Sequence, residues 1–158
     1  MKKTAIVVAL AIVGATLTLS ASPAHAWWDY AKWGMTVPQL SKASAGRLRE
    51  CAGDCPGTFT GFRPTHRVDI DVIGFPGFAM FAFDDAGRLN WTVLRIPGGN
   101  SFNSLQRALA GVYGAPIERS GGSFPSTTWR DTTKKSSIRL IEIGNTSAIE
   151  YKPAASGL

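Results

Sequence analysis

The sequence predicts an α+β domain in which two helices pack on one face of an antiparallel sheet of about six strands, in the order αβββ-αβββ. Two observations lead to this class. Apolar residues recur at helical spacing in two separate segments, and each segment is followed by three short runs with the alternation or apolar character of strands. The links between consecutive strands are too short for crossover connections, so neighbouring strands within each set of three are expected to be antiparallel.

The first 26 residues carry the three parts of a secretory signal. Met1-Lys2-Lys3 is a short positive region, residues 5–19 form an apolar run, and Ala24-His25-Ala26 is a small-x-small ending. The apolar run is interrupted and is shorter than the ~20 residues that span a bilayer, which favours a cleaved signal over a membrane anchor. We expect cleavage after Ala26, no transmembrane segment afterwards, and a mature protein that is periplasmic or secreted.

Without the signal, 132 of the 158 residues remain, which is the size of one domain. Two of the 17 basic residues and none of the 11 acidic ones lie in the signal, so the mature net charge is +4. This modest charge favours anionic surroundings, and no run of Lys and Arg suggests nucleic acid. We expect one domain over residues 27–153, built from tandem helix-meander units at 27–97 and 98–153, and a frayed tail at 154–158.

The mature chain opens with aromatic residues and a helix. The aromatic residues are Trp27, Trp28, Tyr30 and Trp33. They either dock onto an edge of the core or form a membrane or ligand surface, and docking is favoured because a terminal segment is ordered only when something ties it down. Thr36 and Gln39 match the capping-box pattern and predict a helix over Val37–Glu50. A loop rich in Gly, Pro and Thr is expected to follow.

Three strands, a second helix and three more strands complete the prediction. In the first strand Val68, Ile70 and Val72 alternate with charged residues. The second helix starts near Phe102 and stops at Gly114 and Pro116. The predicted strands cover residues 67–72, 78–83, 88–96, 126–131, 137–143 and 147–152.

Cys51 and Cys55 are the whole cysteine inventory. An even count in an oxidising compartment predicts a disulfide bond. Because the closed loop is so small, the bond is expected to contribute at most about 2 kcal/mol and to brace a local turn.

Two short motifs resemble a known group of proteins. Trp33-Gly34-Met35-Thr36 precedes the first helix, and Tyr113-Gly114-Ala115-Pro116 ends the second. This pattern resembles the signature of small bacterial envelope proteins built from helix-plus-meander units, namely the outer-membrane-assembly lipoproteins and the β-lactamase-inhibitor-type proteins. The chain differs from the lipoproteins because it lacks a lipidation cysteine. The resemblance implies a binding or scaffolding role in the envelope without catalysis.

Reactive groups are sparse in the mature chain. His66 is its single histidine, and no G-x-S-x-G elbow accompanies it. The spacing of Cys51 and Cys55 is not the CxxC of thiol oxidoreductases. We therefore expect no catalytic residues, no metal site and no cofactor. A small exported hydrolase or thiol-redox enzyme that uses His66 or the cysteines is the alternative.

The functional hypothesis therefore concerns the surface of the predicted sheet. Several strands carry apolar residues at both odd and even positions, and these positions point to opposite faces of the sheet. The sheet therefore either buries both faces or exposes an aromatic patch. Large exposed apolar patches mark partner sites, and Trp and Arg dominate interface energetics. The candidate binding surface consists of Trp91, Arg95, Trp129 and Arg139. Its expected partner is a protein or another component of the cell envelope, unless the tryptophans belong to the core.

Overall fold

In the computed structural model, the residues described are 30–55, 61, 63–99 and 101–154. The predicted signal, Trp27, Trp28 and the end of the predicted tail lie outside them. The helices are α1 (Val37–Ala43) and α2 (Phe102–Tyr113). The strands are β1 (Arg49–Glu50), β2 (His66–Val72), β3 (Phe75–Phe83), β4 (Leu89–Pro97), β5 (Glu118–Ser120), β6 (Ser126–Asp131), β7 (Ser136–Ile143) and β8 (Thr146–Pro153).

All eight of these strands belong to one antiparallel sheet, in the order β1-β2-β3-β4-β8-β7-β6-β5. A helix, a short strand and a three-stranded meander occur twice along the chain. The two sets meet at the centre of the sheet, where β4 pairs with β8 over the register Thr92↔Tyr151 to Pro97↔Thr146. The division into tandem units stays a prediction, since a shared order of elements does not show a duplication.

The predicted fold class is wrong in the proportion of helix to strand and in the number of strands. The described part of the protein is mostly sheet, with 44% of the described residues in strands and 16% in helices, and the sheet has eight strands and not six. The two additional strands are β1 and β5, which are two and three residues long and wholly exposed. Their residues are polar, so they give no alternation of apolar and polar positions that sequence reasoning detects.

The first helix is half as long as predicted. It ends at Ala43, and Ser44 caps it by donating its amide to the carbonyl of Leu40 at 2.8 Å. Ala45 and Gly46 follow with φ values of +55° and +74°, which lie in the left-handed region and stop a right-handed helix. The chain therefore turns back, and Arg49 and Glu50 pair with β2 where the sequence predicted helix.

Both helices contribute to a single core on one side of the sheet, the helix-bearing face. Leu40 of α1 and Leu105 and Leu109 of α2 are buried in one cluster with sheet residues. The sheet residues of that cluster are Val68, Val72, Ala79, Phe81, Leu89, Leu94, Ile96, Trp129, Ile138, Leu140, Ile149 and Tyr151. No helix among the described residues is long and apolar enough to cross a membrane.

The segment before α1 docks onto this core, as the sequence favoured. Tyr30, Trp33 and Met35 pack against the buried cluster. Gly34 donates its amide to the carbonyl of Leu89 at 2.9 Å, and Leu89 donates to the carbonyl of Met35 at 2.8 Å. The segment is therefore held by backbone pairing to the start of β4 as well as by its side chains.

Candidate functional site

The opposite side of the sheet, the helix-free face, carries most of the polar chemistry. Side chains of directly paired residues point to the same face, so the register places one row of residues across all eight strands. The row runs Arg49, Arg67, Met80, Val93, Glu150, Arg139, Thr128 and Glu118. Apolar residues occupy its middle, and charged residues occupy both sides.

The structure brings three of the four predicted surface residues to the helix-free face. Trp91 and Arg95 lie on β4, and Arg139 lies on β7. Trp129 is on the other face, fully buried, and its indole Nε1 donates to the carbonyl of Gly114 at 3.1 Å. Trp129 is thus placed in the core, which the sequence had left open as the alternative.

Trp91 borders an apolar cluster on the helix-free face. Met80, Ala82, Val93 and Ala148 are buried in this cluster, and Phe78, Trp91, Ile143 and Cys55 pack around it. The Nζ of Lys152 lies 3.8 Å from the centre of the Trp91 ring, which is a cation–π contact. Trp91 is half-buried, so one part of its ring supports the sheet while the other meets a charged surface.

Arg95 is half-buried between Phe78 and Ala148, its partners on the neighbouring strands. Burial lowers the pKa of its guanidinium from the ordinary value. It forms no ion pair with a described residue. A partly desolvated guanidinium of this kind gains most when a partner supplies hydrogen-bond acceptors.

A polar recess of about 360 Å³ lies on the helix-free face beside this cluster. Its lining residues are Glu118, Ser120, Ser126, Thr128, Ser137, Arg139, Glu150 and Lys152. The carboxylate of Glu150 is almost buried, with 6% of its side chain exposed, and lies 3.9 Å from the ammonium of Lys152. Arg139 is exposed and donates to the hydroxyl of Ser126 at 3.4 Å. The recess thus offers both charges and several hydroxyl groups to a partner.

The disulfide loop covers the other end of the same face. Cys51 and Cys55 are bonded, as predicted, and Cys55 packs on the apolar cluster. Arg67 donates to the carboxylates of Asp54 and Asp69, each at 2.9 Å, and so ties the loop to β2. The hydrogen bond from Arg67, supported by Arg49, holds the pKa of Asp69 below its usual value.

The residues of the enzyme alternative do not form a common centre. The Nδ1 of His66 lies 2.9 Å from the hydroxyl of Thr65, and the ring packs edge-on against Phe83. Both cysteines are consumed by the disulfide bond. No group of three His, Cys, Asp or Glu residues among the described part of the chain is placed to hold a metal ion. The enzyme alternative itself stays a prediction.

Sequence reasoning missed two features: the polar recess, and a cavity on the helix-bearing face bounded by Trp33, Tyr113 and Tyr151. The recess residues come from four consecutive strands and the cavity residues from segments far apart in sequence, and in both cases the strand register brings them together. The aromatic segment at the start of the mature chain was the one signal that pointed to the cavity. No family model, curated protein or solved structure matches the chain.

Proposed function

We propose that the protein is an exported, non-enzymatic binding module of the bacterial cell envelope, which holds a protein partner on its helix-free face. The observation that carries this proposal is the polar recess, together with Trp91 and Arg95 on the same face of the sheet. Fully polar recesses with buried acids suit peptide backbone and charged side chains better than apolar ligands. The class of function agrees with the resemblance to envelope proteins of the helix-plus-meander type.

Two features support export to an oxidising compartment. The first 26 residues match a cleavable signal. The Cys51–Cys55 bond fits a periplasmic or secreted protein, since disulfides persist outside the reducing cytoplasm. Sequencing the N-terminus of the protein from the periplasmic fraction is expected to begin at Trp27, and an intact Met1 in the cytoplasmic fraction would contradict export.

The binding face is tested by site-specific photocrosslinking in the producing cells. A photoreactive amino acid at position 139 is expected to give a discrete crosslinked band. The same amino acid at Arg107, which is exposed on α2 on the opposite face, is the matched control. Equal banding at the two positions would contradict a partner on the helix-free face.

The purified partner then allows the affinity to be measured. Arg95→Ala is expected to weaken binding at least tenfold, because truncation of a partly desolvated Arg in an interface costs roughly 2 kcal/mol. Arg107→Ala is expected to change the affinity less than twofold. If both variants bind as tightly as the wild type, the helix-free face is not the binding site.

A further inference from the structure

The cavity on the helix-bearing face has the size and shape of a small-molecule site. Its volume is about 300 Å³, at the lower end of the range for ligand pockets. It lies between the segment before α1, the last residue of α2 and the central strands β4 and β8. Trp33, Tyr113 and Tyr151 line its sides, and the buried residues Leu89 and Thr92 are part of its wall.

The wall formed by the N-terminal segment is fixed in place. The indole Nε1 of Trp33 donates to the hydroxyl of Ser136 at 2.9 Å, and Ser136 donates in turn to the carbonyl of Lys134 at 3.1 Å. Backbone pairing of Gly34 and Met35 with Leu89 holds the same segment from the other side. The cavity is therefore preformed, and a ligand does not have to order the chain before it binds.

The aromatic residues of the cavity favour a flat ring as the apolar part of a ligand. Burial raises the pKa of Tyr113, against the opposing effect of a side-chain hydrogen bond with Tyr151. Both residues line the cavity, so their aromatic rings form part of its wall. Aromatic pairs prefer offset or edge-to-face contacts, which a bicyclic ligand can make with more than one wall.

The charged residues at the rim of the cavity favour one charge on the polar group of a ligand. Lys32 and Lys134 are exposed at the cavity, together with the half-buried carboxylate of Asp131. Asp131 accepts the backbone amide of Lys134 at 2.9 Å, so its charge is partly satisfied within the turn. Among the described residues that line the cavity, two ammonium groups stand against one carboxylate. From this charge and the aromatic walls, we propose that the cavity binds a small aromatic carboxylate.

The test uses three probes that share a naphthalene ring and differ in charge. They are 1-naphthaleneacetate, 1-naphthaleneethanol and 1-naphthaleneethylamine, titrated into the mature protein by calorimetry. The acetate is expected to bind at least tenfold more tightly than the amine, with the neutral alcohol between them. Binding of the amine as tight as that of the acetate would overturn the choice of an anion. Absence of acetate binding at millimolar concentration would overturn the site.

Neighbouring lysines supply a matched pair of variants. Lys134→Gln removes a charge at the cavity and is expected to weaken 1-naphthaleneacetate binding about threefold to tenfold, with less than a twofold effect on the alcohol. Lys135→Gln removes a charge one residue away, at a position that does not line the cavity, and is expected to change neither affinity by more than twofold. Equal effects of the two variants on the acetate would overturn the role of the rim.

A third variant tests the location of the bound ring. Ala31→Leu fills part of the cavity from the N-terminal segment and is expected to abolish binding of the acetate and of the alcohol together. Its thermal unfolding is measured in parallel to show that the variant is folded. Unchanged binding by folded Ala31→Leu would place the ring outside the cavity. Because the cavity and the polar recess lie on opposite faces, loss of one site leaves the other testable.

Discussion

Trp91 and Trp129 are the same residue type on strands of one sheet, and their surroundings separate their roles. Trp129 has no exposed surface, and its indole is hydrogen-bonded to the carbonyl of Gly114 at the end of α2. Trp91 is half-buried on the opposite face, beneath the ammonium of Lys152. Trp129 therefore belongs to the core, whereas part of the Trp91 side chain remains at the surface.

Trp129→Phe is expected to lower the free energy of unfolding by about 2 kcal/mol, because the smaller ring leaves a cavity and the carbonyl of Gly114 loses its donor. Trp91→Phe is the control and is expected to lower it by less than about 1 kcal/mol, since its site is half-buried. Urea denaturation followed by circular dichroism measures both. A Trp129→Phe protein as stable as the wild type would contradict a stabilising role of Trp129 in the core.

The sequence around Trp129 explains why its side of the sheet was not predicted. The strand reads Ser126-Thr127-Thr128-Trp129-Arg130-Asp131. It has a single large apolar residue, and its hydroxyl residues occupy both odd and even positions. Alternation therefore does not distinguish the two faces. The position of α2, which supplies the carbonyl for the indole, depends on packing between distant segments. The disulfide bond, in contrast, followed from the cysteine count alone.

Two glycines, one in a strand and one in a helix, differ in whether their surroundings leave room for a side chain. Gly77 lies on β3, and a Cβ atom there would collide with the backbone carbonyl of Arg95 on β4. Gly111 lies within α2, and a Cβ atom there would meet no atom within 4 Å. The same substitution therefore has opposite consequences in the two elements.

Gly77→Ala is expected to destabilise the protein by about 3 kcal/mol, because neither backbone can move without breaking the ladder between β3 and β4. Gly111→Ala is expected to stabilise it by about 0.5–1 kcal/mol, since alanine loses less backbone entropy in a helix. Thermal unfolding of the two variants beside the wild type measures both effects. Shifts of the same sign would contradict the packing described for these two positions.

The longer elements were predictable, and the short polar strands were not. The six predicted strands lie where β2, β3, β4, β6, β7 and β8 are found, and α2 begins at Phe102 as expected. Strands β1 and β5 were missed because pairing with a neighbour, and not an intrinsic pattern, makes them strands. The length of α1 was overestimated because Ala45 adopts a left-handed conformation that its residue type does not signal.

At the scale of the whole molecule, the central pairing of β4 with β8 joins two halves, which are the set from α1 to β4 and the set from α2 to β8. The buried cluster on the helix-bearing face includes residues of both halves, such as Phe81 and Ile138. The smaller cluster on the helix-free face also joins the described parts of the two halves, since Ala148 packs with Met80, Ala82 and Val93. The aromatic cavity depends on this pairing because its lining residues come from both halves, whereas the polar recess is lined by residues of β5 to β8 alone. The sequence predicted that both halves share one sheet, but it did not predict the register.

We expect the protein to unfold in one cooperative step, because loss of either half exposes the core of the other. Urea denaturation is followed by tryptophan fluorescence and by far-ultraviolet circular dichroism in the same samples. The two probes are expected to give the same midpoint. Two separated transitions would show that each helix-and-meander set is stable alone.

Strand β8 is the last of the described strands along the chain, yet it lies in the middle of the sheet. During synthesis β4 therefore has no partner on its inner side until β8 has been made. The hydroxyl that accepts the indole of Trp33 belongs to Ser136, 103 residues later in the chain. Because such distant pairings form slowly, we expect the nascent chain to acquire its native packing only after β8 is complete.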